Sequence, residues 1–407
     1  MRVCVIGGGA SGMLASILIA YKKHDVILLE KNEKLGKKIY ITGKGRCNVT
    51  NAVTGNEFLA NVVTNAKFVM SSEVRFNSAD TMAFFEELGV KLKIERGNRV
   101  FPESDKASDI TRAMERRLKL LNVDIRLNTQ VKEVIVEDNL VKGVKLSSGD
   151  VIVADAVVVA TGGISYPLTG STGDGYKFAE QTGHRVVEPV AGLVGVLSND
   201  DDTKRLSGLT LKNVKVRAYE KKKLVYESDI GEMLFTANGI SGPLVLTLSS
   251  YINRISPQNV KIYIDFKPAI DDFALSQRLD REIIALKSKQ FSSLLEQFLP
   301  KSLCDVFAKR LNIPKHKKAN QLTNQEREKL CFMLKNFEVA YNRLDDIERA
   351  VVTSGGVNVK DLKPKSMESK LVGKLYFIGE VVDIDALTGG FNLQLAFSTA
   401  AACASDF

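Results

Sequence analysis

Apolar positions follow three rhythms along the chain, and each marks out a different kind of element. Val3, Val5 and Ile6 form a short apolar run, glycines follow, and a nearly all-apolar stretch continues to about Ala20. This order predicts a strand, a tight turn and a buried helix, with a second strand at 26–29. Amphipathic helices are predicted at 78–89, with Ser78 as N-cap and Gly89 as the C-terminal stop, and at 107–122. The period then falls to two. Strands near 123–127, 131–137, 140–146 and 151–154 are separated by turn residues, forming a three-stranded antiparallel meander. The meander leads into "AVVVA", a fully buried parallel strand ending in Thr161-Gly162-Gly163.

The stretch 190–355 has a different character. Strands are predicted around 213–219, 223–228 and 259–266, with a helix seeded at "SGPLVLTLSSY". A helical block at about 272–335 follows, interrupted by Pro300 and Pro314, and its last helix opens with a Thr323–Glu326 capping box. It reads as an insertion, strands first and helices nested inside. The chain returns with a buried strand at 375–378 that runs into Gly379-Glu380, and Gly389-Gly390 opens a terminal apolar helix.

Composition narrows the class. A chain of 407 residues with 44% hydrophobic and 26% charged positions is an ordinary globular protein of two or three domains. Its apolar runs fall well short of the ~20 residues a membrane helix needs. The first residues enter a strand directly, which leaves no room for a signal peptide. Five scattered cysteines without a C-x-x-C pair fit a reducing cytoplasm, and three distant histidines argue against a metal centre. The net charge of +9 is spread over short runs such as "EKKKL" and "KHKK", which favours solvated faces over nucleic-acid binding.

The glycines carry the chemistry. Gly7, Gly9 and Gly12 satisfy G-x-G-x-x-G between strand and helix, and Glu30 closes the second strand. Gly7 permits the tight turn, Gly9 lets a pyrophosphate approach the backbone, and Gly12 allows close helix–strand packing. Ala10 and Ser11 lie at the helix N-terminus, whose N–H groups and dipole attract phosphate. Glu30 can accept both ribose hydroxyls and would repel a 2′-phosphate, so the ligand is FAD or NAD rather than NADP. The loop "GKKIYITGKGRCNVTN" at 36–51 is basic and glycine-punctuated, beyond what a solvated turn requires. Within it, Cys47 is a candidate reactive thiol whose basic surroundings would lower its pKa.

A nucleotide-binding unit split by an insertion resembles the two-motif flavoproteins, and more closely the BaiN/YhiN-like family of FAD-binding oxidoreductases. The resemblance rests on "GGGASG", "GKKIYITGKGRCNVTN", "ATGGISYPLTGSTGDGY", "TANGISGP", "TSGGV" and "GEVVDIDALTGGFNLQLAFSTA", which together span the chain. It implies an α/β fold: a split Rossmann-type FAD-binding domain, parallel sheet plus β-meander, with an inserted β-rich domain and a nested helical subdomain. The implied boundaries are 1–190 and 356–407 for the FAD-binding domain, 191–270 and 336–355 for the β-rich insert, and 271–335 for the helices.

The resemblance also implies non-covalent FAD, held by the first glycines, Glu30 and Lys31. Lys37 and Lys38 would lie near the pyrophosphate or adenosine, and Thr42, Gly43 and Gly45 would face the isoalloxazine, with Asn48 and Asn51 anchoring the loop. Val131 would meet adenine, and Thr161 and Gly162 would lie along the cofactor. Gly379 and Glu380 would reach the ribityl chain, and Gly389, Gly390, Phe391 and Asn392 would bring a helix N-terminus to the flavin. Lys44, Arg46 and Cys47 are the candidates for catalysis. The implied activity is flavin-mediated hydride transfer with a small or steroid-like molecule, by C=C reduction using NAD(P)H as a transient donor or by amine or amino-ketone oxidation. The alternative is a redox-sensing or RNA-associated flavoprotein. The segment 171–184 resembles the fumarate-reductase group, with Asp174 expected to cap a helix.

Overall fold

The computed structural model describes residues 1–407, which form two compact units: 1–192 with 346–407, and 193–345. The first unit is built on a five-stranded parallel sheet. Its strands, in spatial order, are Leu375–Phe377, Ala156–Val159, Arg2–Ile6, Asp25–Leu29 and Asp124–Arg126. Side chains alternate between the two faces of such a sheet, and both are covered, which is why the strands read as unbroken apolar runs. Val3, Val5, Val26, Leu28 and Val158 pack with the helices Ala10–Tyr21 and Ala107–Leu120. Cys4, Ile6, Ile27, Leu29 and Val159 face the opposite way, into a second core shared with the meander. The meander strands are Val131–Glu137, Leu140–Leu146 and Val151–Val153. The run predicted at 123–127 belongs to the parallel sheet, where Asp124–Arg126 pairs with Asp25–Leu29.

The C-terminal helix Phe391–Ala404 is apolar on nearly every side because it is buried on nearly every side. One polar cluster pins it: Gln394 accepts from Thr50 and Thr81 and donates to the Phe76 carbonyl and Ser398. The helix Ser78–Glu87 is capped one residue earlier than expected. Asn77, not Ser78, completes a capping box with Asp80, because the carboxylate three residues on returns the bond to the Asn77 N–H.

The second unit holds an eight-stranded antiparallel sheet and four helices in the range 272–335. Both contribute to one core, in which Phe266, Phe307 and Phe337 meet ring to ring. The helical block is therefore not a separate subdomain. The Thr323–Glu326 capping box is present. The return to the first unit falls at 346 rather than 356. Val352–Val357 pairs with Val186–Gly192, so "TSGGV" belongs to the nucleotide-binding unit and not to the insert.

Candidate cofactor-binding site

Four strands of the parallel sheet end at one cavity. Gly7 follows the first strand, Glu30 the second, and Ala160 to Gly162 follow the buried strand after the meander. Gly379 and Glu380 follow the returning strand. Crevices beyond the carboxyl ends of parallel strands are where such sheets take ligands. The three glycines divide their tasks. Gly7 turns at φ +106°, and a side chain there would strike the Ala160 carbonyl. A Cβ at Gly12 would collide with the Gly7 carbonyl, so the helix can lie this close only without one. Gly9 differs: no protein atom lies within 4 Å of where its Cβ would be, and it lines the cavity beside Ala10 and Ser11.

Glu30 is buried and already engaged. One carboxylate oxygen accepts from the Gly8 N–H at 2.8 Å, the other from the N–H and side-chain amide of Asn32 at 2.8 and 2.7 Å. Two oxygens carry about four acceptor positions, so capacity for a ligand hydroxyl is left. Lys31 bonds Thr172 and forms an ion pair with Asp174 at 2.7 Å. Asp174 thus faces a lysine across the cavity wall instead of capping its helix, which starts from Gly173 without a side-chain cap. Val131 lines the same region with Thr129 and Gln130.

At the other end, Glu380 receives Lys38 Nζ at 2.7 and 3.0 Å, Ser165 Oγ at 3.2 Å and the Thr353 N–H at 3.0 Å. Burial pushes this carboxyl up, but the Lys38 charge and the hydrogen bonds outweigh it and hold it below its ordinary range. Thr353 Oγ1 in turn accepts from the N–H groups of Ile164 and Ser165. Neither Ser165 nor Thr353 was singled out from sequence. Nearby, Thr161 lines the cavity with a buried hydroxyl that has no protein partner. Gly162 is also on the wall.

The loop 36–51 departs from expectation beyond Thr42. Thr42 and Lys38 line the cavity, whereas Gly43, Lys44, Gly45, Arg46, Cys47 and Asn48 do not. A Cβ at Gly43, φ +55°, would come within 2.9 Å of the Asn48 N–H and 3.2 Å of the Phe101 ring, so this glycine serves packing within the loop. Gly45 has only the Tyr40 carbonyl nearby, at 3.9 Å. Asn48 does not anchor the loop: its side-chain oxygen is buried without a partner. Asn51 does anchor it, donating to the carbonyls of Gly97 and Gly389. Arg46 is held by Glu95 and Asp105 and lies 4.1 Å over Phe101, a structural role. Cys47 is fully buried, and burial pushes its thiol up to about 12, opposite to the expected direction; it is not an activated nucleophile. Lys44 is exposed and away from the cavity.

At the C-terminal helix, Asn392 reaches the cavity wall, while its side chain locks the turn at Ala386 through two bonds of 2.9 and 2.7 Å. Gly389, Gly390 and Phe391 stand behind the wall. A side chain at Gly390 would strike the Thr50 backbone, and Phe391 packs 5.7 Å from Phe58.

These features fit FAD. Gly9 leaves open space at a helix N-terminus, Thr161 offers an unmatched buried hydroxyl, and the wall between is apolar, with Ile6, Leu29, Phe178 and Val352. Gly9 to Ser11 would hold the pyrophosphate, Glu30 a ribose, and Thr161 and the Glu380 end the flavin side.

Two predictions follow from this geometry. Gly9→Ala adds a methyl group to the cavity without meeting protein, at a φ of −79° that alanine accepts. Its apoprotein Tm should match wild type while FAD affinity falls tenfold or more, as read by flavin titration; equal affinity would contradict the placement. The second concerns pH. Because the Glu380 pKa is depressed on folding, its contribution to stability is present above the unfolded value near 4.5 and is lost as pH falls through the folded value. Lys38→Met leaves a half-buried carboxylate without its cation, which should cost roughly 1–3 kcal/mol at neutral pH. Melting curves from pH 7 to 3 should show the variant losing less on acidification than wild type, and superimposable profiles would rule the pair out as a stabilising contact.

Comparison with known proteins agrees with this geometry. The HI0933-like protein Rossmann domain matches residues 1–406. The chain is 30% identical over 403 residues to the 3-dehydro-bile acid delta(4,6)-reductase of Clostridium scindens, covering 98% of this chain and 97% of that protein. It is 31% identical over 406 residues to the ribosomal RNA dihydrouridine synthase of Escherichia coli, covering 99% and 96%. Among solved structures, 3-ketosteroid delta1-dehydrogenase from Sterolibacterium denitrificans superposes with a TM-score of 0.54 at 12% identity, covering 99% of this chain and 98% of that one, a likeness of fold. The chain belongs to the HI0933-like Rossmann family of FAD-dependent oxidoreductases.

Proposed function

We propose that this protein is a flavin-dependent reductase that saturates a carbon–carbon double bond conjugated to a carbonyl, and that its substrate is uridine in ribosomal RNA. The observation that carries the reading is the pair of full-length relatives, at 30% and 31% identity, whose names both describe saturations. The uracil C5=C6 bond is conjugated to the C4 carbonyl, as the double bonds of a 3-oxo-4,6-diene are to theirs, so one chemistry covers both names. It also favours reduction over amine oxidation. Scattered basic runs alone gave nucleic acid little support, but with a dihydrouridine synthase among the relatives the net charge of +9 becomes an argument for a polyanionic substrate.

FAD held in this cavity would supply hydride-transfer chemistry, and saturation of the uracil ring needs a hydride at C6 and a proton at C5. The balance is uridine, NAD(P)H and a proton giving dihydrouridine and NAD(P)+. The chain's own residues bind and orient. The N–H groups at 9–11 would hold the pyrophosphate, Glu30 would receive a ribose, and the apolar wall would exclude water. Cys47 is excluded as proton donor by its burial away from the cavity. A dienone steroid as substrate is the second reading, favoured by the Clostridium scindens relative.

Protein reduced anaerobically with NADPH or NADH and mixed with an unmodified ribosomal RNA transcript should regain its oxidised flavin spectrum. The digested RNA should contain a uridine heavier by two hydrogens. RNA of unchanged mass, with reoxidation only by a dienone steroid, would replace the first reading with the second.

A further inference from the structure

We infer that a basic strip on the nucleotide-binding unit, running from the loop beside the cavity to a groove against the helix Ala107–Leu120, holds the phosphate backbone of the RNA substrate. The inference rests on the RNA reading above. Its scaffold is a hairpin, Leu92–Glu95 paired with Arg99–Pro102 in the register Glu95↔Arg99 and Leu92↔Pro102. At its turn end the hairpin pairs with the end of the flavin-side loop, Thr50↔Val100 and Asn51↔Arg99, and Phe101 of the same strand lies under Gly43, whose neighbour Thr42 lines the cavity. At the other end Lys91 and Glu103 enter a polar groove lined also by the exposed Arg112 and Arg116.

Charge is arranged unevenly along this strip. In the middle, Arg46 and Lys93 are matched by Glu95 and Asp105 in a closed network of four ion pairs. These charges build the surface and are spent on one another. On either side stand exposed cations without a carboxylate partner: Lys44, Arg96 and Arg99 near the loop, and Lys91, Arg112 and Arg116 at the groove. Arg112 and Arg116 are one helical turn apart and share a face. Their neighbours Arg117 and Lys119 are the ones paired, with Glu87 and Glu115. The two free groups are separated by the strand, about 13 Å at ~3.3 Å per residue, a length that spans several backbone phosphates.

The groove does not suit a compact anion. Glu103 and Asp109 stand within it, the latter accepting from Ser104 at 2.6 Å, and would repel a small phosphate held deep inside. A strand of phosphates lying across the rim instead meets the cations in turn. Contacts of this kind position a nucleic acid without reading its sequence, and they place a base near the cavity mouth through the loop 36–51.

The test is the triple variant Lys91→Gln/Arg112→Gln/Arg116→Gln, none of whose positions lines the cofactor cavity. The probe is an unmodified ribosomal RNA transcript titrated at several salt concentrations. Each lost phosphate contact removes about 0.7–0.9 from the slope of log affinity against log salt. The variant should lose about two from the slope and bind at least tenfold more weakly at moderate salt. Its flavin content and its reduction by nicotinamide without RNA should be unchanged. Lys132→Gln/Lys142→Gln/Lys177→Gln, three exposed lysines on other elements, removes the same charge and should leave the slope in place. If wild type binds RNA with a steep slope and the strip variant keeps it, or both triples lose it equally, the strip is wrong while the RNA reading stands. If wild-type protein shows no salt-dependent RNA binding, the RNA reading fails and the strip with it.

Discussion

Everything in the nucleotide-binding unit depends on how closely three pieces of backbone approach one another around Gly7. The carbonyl of Gly7 sits where a side chain at Gly12 would be, and the carbonyl of Ala160 sits where one at Gly7 would be. These contacts draw the first helix onto the sheet and set the first strand against the strand after the meander. The helix N-terminus and the ends of four strands then open onto one cavity. Gly9, in the same tripeptide, has the reverse property: nothing touches it. The contrast separates glycines that hold the fold from the glycine that leaves room for a ligand.

Electrostatics ties the distant parts of the chain to this frame. Lys38 comes from the loop after the second strand, Glu380 from the strand that returns after the insertion, and Thr353 and Ser165 join them from two further segments. A half-buried carboxylate that takes three partners from three other segments makes the cavity end a checkpoint for correct assembly. On the ribose side, Lys31 and Asp174 similarly join segments more than a hundred residues apart.

Much of this was legible in the sequence, for physical reasons. Strands buried on both faces read as unbroken apolar runs, the meander reads by its period of two, and glycines at fixed spacing announce a backbone approach that no other residue permits. What was not legible depends on partners far along the chain. Arg46 looked like a flavin-side charge until Glu95 and Asp105 were seen to hold it, and Cys47 looked activated by basic neighbours that point elsewhere while the thiol itself is buried. The boundary drawn at 355 cuts through "TSGGV", because the insert's strands precede it, yet the whole segment pairs with Val186–Gly192. A carboxylate returned from Asp80 decided the helix cap one residue away from the serine that local preference picks.

The N-terminal glycines and the C-terminal strand and helix converge on one cavity that fits a single FAD. Acid or heat release of the cofactor from purified protein, with identification by mass and a molar ratio to chain, tests it most directly. The expected result is a yellow protein releasing FAD at about one per chain, with no flavin left on the polypeptide. A colourless protein that binds NAD and takes up no FAD would contradict it.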